Sequence, residues 1–166
     1  MRFINKWYVL CSLICIVLLA GSGLAYVYLS KPLIVNGYSA LTHSSGKQEI
    51  VYSLVNKSKT GIKIHEVKLG GKLHDEAMVG ISFDTGQLVQ SGTQNPGIQF
   101  FPLNQAVIRP ALSTEEVFVA MSKKEMTPIH YGVRVECNNE EMKTLTFTYS
   151  YYGLKVTRQL HWPPSG

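Results

Sequence analysis

The stretch from Ile50 to Leu69, IVYSLVNKSKTGIKIHEVKL, decides the fold. Before its middle, Ile50, Tyr52 and Leu54 alternate with Val51, Ser53 and Val55. After it, Ile62 and Ile64 alternate with Lys63 and His65. Neighbouring side chains on an extended chain point to opposite faces, so this period of two reads as a pair of strands. Between them, Asn56-Lys57-Ser58-Lys59-Thr60-Gly61 is turn chemistry. At Glu66-Val67 the apolar phase slips, which predicts a bulge or a strand buried on both faces at one end. Asn56-Lys57-Ser58 also matches a glycosylation acceptor, a match without meaning in a bacterial protein.

Outward from this pair the pattern repeats. Leu33 to Leu41, Met78 to Phe83, Ile129 to Cys137, Thr144 to Tyr151 and Lys155 to Trp162 read as strands, and Gly97 to Phe101 as a short edge strand. Asn138-Asn139-Glu140-Glu141 and Tyr152-Gly153 supply hairpin turns, and His74-Asp75-Glu76 a polar turn. Ser113-Thr114-Glu115-Glu116 has capping-box spacing. The residues after it, Val117, Val119 and Met121, nevertheless alternate and include β-branched side chains, so a strand is expected there. About seven to nine short strands, with turns about every 8–12 residues, predict an all-β fold. Prolines within the segments imply open edges, which a β-sandwich tolerates better than a barrel.

Upstream lies a different kind of sequence. Trp7 to Leu29, WYVLCSLICIVLLAGSGLAYVYL, holds no charge and no proline. As a helix rising about 1.5 Å per residue it would be roughly 35 Å long, enough for a hydrocarbon core of about 30 Å. Its eleven Leu, Ile and Val residues favour insertion by roughly 3–7 kcal/mol in sum. Trp7 and Tyr8 at one end, Tyr26 and Tyr28 at the other, suit the two interfaces. A cleaved signal peptide would share the basic start at Arg2 and Lys6 and the small residues Ala20-Gly21-Ser22, but the apolar run continues through Leu24, Val27 and Leu29. Cys11 and Cys15 lie in mid-span, which does not suit a lipoprotein. The expectation is an uncleaved single-pass helix over residues 7–29 that contacts membrane lipid. Residues 1–6 would form a short cytoplasmic N-terminus and residues 30–166 an extracytoplasmic domain, because Arg2, Lys6 and the amino terminus outweigh Lys31. Lys31-Pro32 ends the helix and leaves little linker, so the domain should stand near the bilayer surface. Gly21-x-x-x-Ala25 has the small-residue spacing that permits close helix pairing, and so a homodimer through Gly21 and Ala25.

The net charge of +5 falls to +3 on the outer part once Arg2 and Lys6 are set aside. Lysines there are interspersed with acids, as on a solvated face, and no nucleic-acid groove is indicated. A loose attraction to anionic lipid or wall polymer fits the mild positive charge. Cys137 stands alone outside the span, so stability rests on a core and not on disulfides; its place in the series Val133, Val135, Cys137 makes it a small buried hydrophobe.

With these residues set out, a resemblance enters. Tyr52 to Val67 resembles the second strand and turn of bacterial immunoglobulin-like domains, in which a strand ends in Asn plus a short polar turn and the next runs through alternating aliphatics. Phe101-Pro102-Leu103, followed by Ile108 to Val119, resembles their later passage of proline, small residues, acid and strand, with Ser113-Thr114 standing where Pro-Gly is usual. The paired cysteines and core tryptophan of antibody-type domains are missing. The resemblance covers most of residues 33–162 and implies an immunoglobulin-like β-sandwich, an architecture that hosts many functions.

Reactive constellations are sparse. His43, His65, His74, His130 and His161 are scattered, though His65 and His130 could meet across strands. Immunoglobulin-like copper chaperones use a Cys-x-Cys pair that this domain lacks, so a metallochaperone is the least favoured reading. Met78, Met121, Met126 and Met142 suit core filling and turns. No nucleophile elbow and no phosphate loop occurs, and Glu115-Glu116 and Glu140-Glu141 are adjacent, which on a strand sends them to opposite faces. Phe147, Tyr149 and Tyr151 share one face and offer a possible aromatic platform for sugar or peptide. The expectation is a non-catalytic, membrane-tethered accessory protein that binds a membrane or surface protein partner, without cofactor or metal. The alternative is a wall-polysaccharide module using the Tyr149–Tyr151 face.

Overall fold

The computed structural model describes residues 2–42, 47–91, 96–137 and 144–161. His43, Gly92, Asn95, the turn 138–141, Met142 and the tail from Trp162 lie outside the described residues. The chain forms two compact units, Met1–Lys31 and Pro32–Gly166.

The first unit is one helix, α1 (Arg2–Leu29). Its segment Trp7–Leu29 has a mean hydropathy of 2.3 and is long and apolar enough to cross a membrane. Ser12 and Ser22 donate their hydroxyl protons to Val9 O at 2.8 Å and Leu19 O at 2.9 Å, so these two hydroxyls are satisfied within the helix itself. A Cβ placed on Gly21 would meet nothing.

The second unit is built on two antiparallel sheets. Its strands are β1 (Leu33–Thr42), β2 (Gln48–Asn56), β3 (Lys63–Leu69), β4 (Lys72–Leu73), β5 (Met78–Phe83), β6 (Ile98–Pro102), β7 (Pro128–Cys137), β8 (Thr144–Tyr151) and β9 (Leu154–His161). One sheet runs β1-β2-β7-β5-β6 and the other β4-β3-β8-β9. The expected strands are present but for one. The segment around Val117–Met121 is an α-helix, α2 (Thr114–Lys123), and not a strand. The predicted bulge falls one step earlier than the sequence pattern suggests. The β3–β8 register shifts between Ile64 and Glu66, so Ile64 is buried before the shift and Val67 and Leu69 after it.

The registers show which side chains share a face. In the first sheet Ile50, Tyr52 and Leu54 stand opposite Val135, Val133 and Tyr131, and Val79 and Ile81 continue the row on β5. In the second, Ile64, Val67 and Leu69 stand opposite Tyr149, Phe147 and Leu145. All are buried, and they form a large part of the core. Burying an aromatic or branched aliphatic side chain is worth about 1.5–3 kcal/mol, so this set dominates the stability of the domain.

The other face of the first sheet is covered too. Gly80 and Gly132 pair across β5 and β7, and a Cβ on Gly132 would lie 2.9 Å from Tyr52 O and 3.0 Å from a Val89 methyl. The missing side chains make room for Val89, which a short 3-10 turn (Val89–Ser91) lowers onto Val51, Ile98 and Phe100. Ser39 holds that turn by donating to Gln90 O at 2.7 Å. This is why β2 is buried on both sides.

Asn56, at the end of β2, joins the two sheets' connections. Its amide is 1% exposed. Nδ2 donates to Thr60 O at 2.8 Å and Ile108 O at 2.9 Å, while Oδ1 accepts from Ser58 N at 2.9 Å and Ser58 Oγ at 2.7 Å. A side chain so enclosed is no glycosylation acceptor in the folded domain. Ile62 and Ile108 exchange backbone bonds of 2.9 and 2.8 Å beside it, and Ala111 N donates to Asn56 O at 2.9 Å.

Replacing Asn56 by Ala should lower unfolding stability by about 2–4 kcal/mol, measured by denaturant titration of the chain in detergent. Asn56→Asp should be worse near neutral pH and recover in acid, since a carboxylate there would face two carbonyl oxygens. Gly132→Ala should cost about 1–3 kcal/mol, because its methyl meets the Tyr52 carbonyl, which cannot turn aside.

Candidate functional site

α2 and the loops around it present exposed apolar side chains beside a cleft. The helix is fixed at both ends. Ser113 takes the extended N-cap conformation (φ −67°, ψ 162°). Glu116 N donates to Ser113 Oγ at 3.3 Å, and Ser113 N donates to Glu116 Oε2 at 2.7 Å. The Ser113 backbone N–H, and after it the hydroxyl, hold the Glu116 carboxyl below the usual carboxylate range. At the other end Lys124 is left-handed (φ 53°) and its N–H reaches Ala120 O at 3.2 Å. The chain then returns to β7 under control of Asp84, whose carboxylate accepts from Met126 N at 2.6 Å and Thr127 N at 2.7 Å.

These caps overrule the β-branched residues. With about 3.6 residues per turn, Val117, Ala120 and Met121 fall on one side and Glu115, Phe118, Val119 and Ser122 on the other. The first set is buried or half-buried; Phe118 is 67% and Val119 50% exposed. Met126, just past the helix, is 54% exposed. A Phe two-thirds exposed on a short, doubly capped helix adds little to the core.

Behind α2 lies a cleft of about 210 Å³. Leu112, Val117 and Ile129 give it apolar walls, and Arg109, His130 and Tyr131 polar ones. Burial pushes the Tyr131 hydroxyl up, with the nearby Arg109 backbone and guanidinium opposing. Burial also holds His130 below the usual imidazole value of 6.5, a bond with the Gly86 backbone opposing.

A second cleft, of about 290 Å³, is lined by His65, Glu66, His74, Asp75 and Leu103. His65 is engaged there, its Nε2 lying 2.6 Å from Ser150 Oγ. Among the described residues no three His, Cys, Asp or Glu side chains converge on a metal-sized space. His65 and His130, which the sequence left able to meet across strands, belong to different sheets. His74 leads into a turn at Asp75–Glu76 as expected, and Cys137 is buried.

The aromatic platform is not a surface. Phe147, Tyr149 and Tyr151 do share a face, but each is 1% exposed, and Thr146, Thr148 and Ser150 take the other side. Burial pushes the Tyr149 hydroxyl up, its contact with Arg158 opposing. The row packs against Ile64, Val67 and Val156 in its own sheet. A ligand from solvent has no access to it. The exposed aromatic of this region is Tyr152, at 57%, on the turn beyond the row.

The chain matches no protein-family model, no curated protein and no solved structure.

Ser113→Ala should cost about 1 kcal/mol and fray α2, seen as faster amide exchange at 116–120 with little change in the sheets. The cap's stabilisation should be present above the ordinary carboxylate range and fade as pH falls through the lowered Glu116 value. The depressed His130 acts in the same direction at higher pH: the unfolded chain takes up its proton first as pH falls below 6.5. Stability should therefore decline from about pH 7 to 5, and His130→Gln should flatten that slope in thermal melts.

Proposed function

We propose that the protein is a single-pass membrane protein of a bacterial cell surface, carrying an extracytoplasmic immunoglobulin-like β-sandwich that acts without catalysis by binding a neighbouring membrane protein. The strand orders support the sandwich. Lettered along the chain, β1, β2, β7 and β5 take the places A-B-E-D, and β3, β8 and β9 the places C-F-G, of the constant-type immunoglobulin arrangement. β6 and β4 are then additional strands beside D and C.

One observation carries the binding function. Phe118 and Val119 stand out from a rigidly capped helix at the end of the domain where the chain enters it. That placement follows from bonds within the domain: Lys57 N donates to Pro32 O at 2.8 Å, and Ala111, two residues before the helix cap, bonds Asn56 O. Exposed aromatics held on rigid elements are the usual anchors of protein interfaces, because little side-chain entropy remains to be lost on binding. A face at the tethered end suits a partner that is itself held in the membrane. The excess of Arg2, Lys6 and the amino terminus over Lys31 supports an N-terminus in the cytoplasm.

In gently solubilised membranes the chain should co-purify with a membrane protein, and Phe118→Asp should release it without moving the thermal midpoint by more than a few degrees. A chain that runs alone at every detergent strength would overturn the reading. So would a Phe118→Asp variant that keeps all its partners.

A further inference from the structure

We propose that the loops at the tethered end of the second sheet form a basic face that rests on anionic headgroups of the membrane. This rests on the reading of α1 as a membrane anchor. Three separate stretches meet there. The turn 56–62 is joined to 107–112 by the Ile62–Ile108 pair. The β8–β9 turn lies alongside, because Lys63 opens β3 directly opposite Ser150. The chain enters at the same place, through Pro32 bonded to Lys57.

These stretches, 56–63, 107–112 and 151–155, carry Lys57, Lys59, Lys63, Arg109 and Lys155 and not one acidic residue. Lys57, Lys59, Arg109 and Lys155 are exposed. The opposite ends of the same strands are mixed, with Lys72 near Asp75 and Glu76, and Lys47 near Glu49. The asymmetry is confined to the second-sheet side of this end, since the first-sheet side carries Asp84, Glu115, Glu116 and Glu125 beside Lys123 and Lys124. Tyr152 completes the face. Held at φ 50° beside Gly153 at φ 79° in a tight hairpin turn, and packed against Tyr151 with ring centroids 4.6 Å apart at an interplanar angle of 55°, it projects an amphipathic ring of the kind enriched at headgroup level.

The chemistry fits a lipid surface better than a nucleic acid or protein groove. The cations are spread over three short loops, Arg109 alone of them lining the cleft behind α2, and the covalent link through Ser30, Lys31 and Pro32 brings this end to the bilayer first. Basic side chains near an anionic leaflet are attracted within about a Debye length, roughly 10 Å in 0.1 M salt.

The test uses the full chain in nanodiscs of phosphatidylcholine alone and of phosphatidylcholine with phosphatidylglycerol, followed by amide hydrogen exchange. Residues 57–61 and 152–155 should exchange roughly tenfold more slowly in the anionic discs. The protection should vanish in about 1 M salt, where the Debye length shrinks to roughly 3 Å. It should vanish also in a K57E/K59E/K155E variant, while residues 70–77 stay the same throughout. Equal exchange in the two discs, with residues 7–29 protected in both, would overturn the basic face and leave the anchor standing. Equal protection by soluble polyglycerol phosphate added to neutral discs would overturn the lipid assignment in favour of a wall polyanion. Failure to enter either disc would remove the anchor. Flotation with anionic vesicles alone would then support the face, and flotation with neither would overturn it.

Discussion

The second unit depends on one buried amide. Where β2 ends, the chain must leave the first sheet and begin β3 in the second, and the turn between them has to be enclosed without stranding its polar groups. Asn56 meets that demand with both amide protons and both lone pairs engaged. Its reach to Ile108 does more than close a turn. It fixes the segment that returns from β6, seats the Ile62–Ile108 pair, and so sets where Ala111 and the cap of α2 begin. A hydrocarbon of the same size would fill the space but leave the Thr60 carbonyl and the Ser58 donors with fewer partners, at a cost of about 1–3 kcal/mol for each group left unsatisfied. Turn, sheet crossing and the start of the surface helix are therefore positioned by the same amide.

The strands were legible because their alternation is written locally. Tyr52 beside Ser53, or Phe147 beside Thr148, reports opposite faces whatever lies elsewhere in the chain. The order of strands within each sheet was not legible, since it depends on which edges meet after folding. Alternation also gives a face without saying whether that face is inside. Phe147, Tyr149 and Tyr151 read as a platform until the threonines and serine interleaved with them are recognised as the solvent side; that signal was present in the sequence. α2 failed differently. Val117 and Val119 favour a strand, yet a capping box offers two reciprocal bonds at once, and Lys124 supplies the left-handed stop. Local hydrogen bonding decided the segment over side-chain preference. The site around Phe118 was hidden by the same error, because only helical spacing separates Phe118 and Val119 from Ala120 and Met121.

The paired glycines show a further limit of pattern reading. Gly80 and Gly132 fall in strands that otherwise look ordinary, and their meaning lies in Val89, which arrives from an irregular segment. Backbone without side chains lets a loop descend onto the sheet, and the loop then buries a face that would otherwise be open to water. Arg134 adds to that cover, its guanidinium lying 4.6 Å above the Phe100 ring. The consequence is a first sheet covered on both faces along β2, with free surface left chiefly on the edge strand β1.

That distribution directs where the domain can do work. Strand faces are used for core and for the Val89 cover, and the aromatic row is inside. Leu41 and Leu73 are exposed at the far end, while the end where Pro32 enters holds Phe118 and Val119 on the side of the first sheet and lysines and Tyr152 on the side of the second. Both sets sit on backbone held by full caps, a buried amide or a tight hairpin turn. Neither set needs to order itself when it meets a surface. An anchor alone leaves a domain free to tumble about its tether, whereas a rigid end with one basic side and one apolar side has a preferred way to face a bilayer and a neighbour within it. The rigidity that Asn56 imposes on the fold is thus what would give that end a fixed orientation in the binding role proposed above.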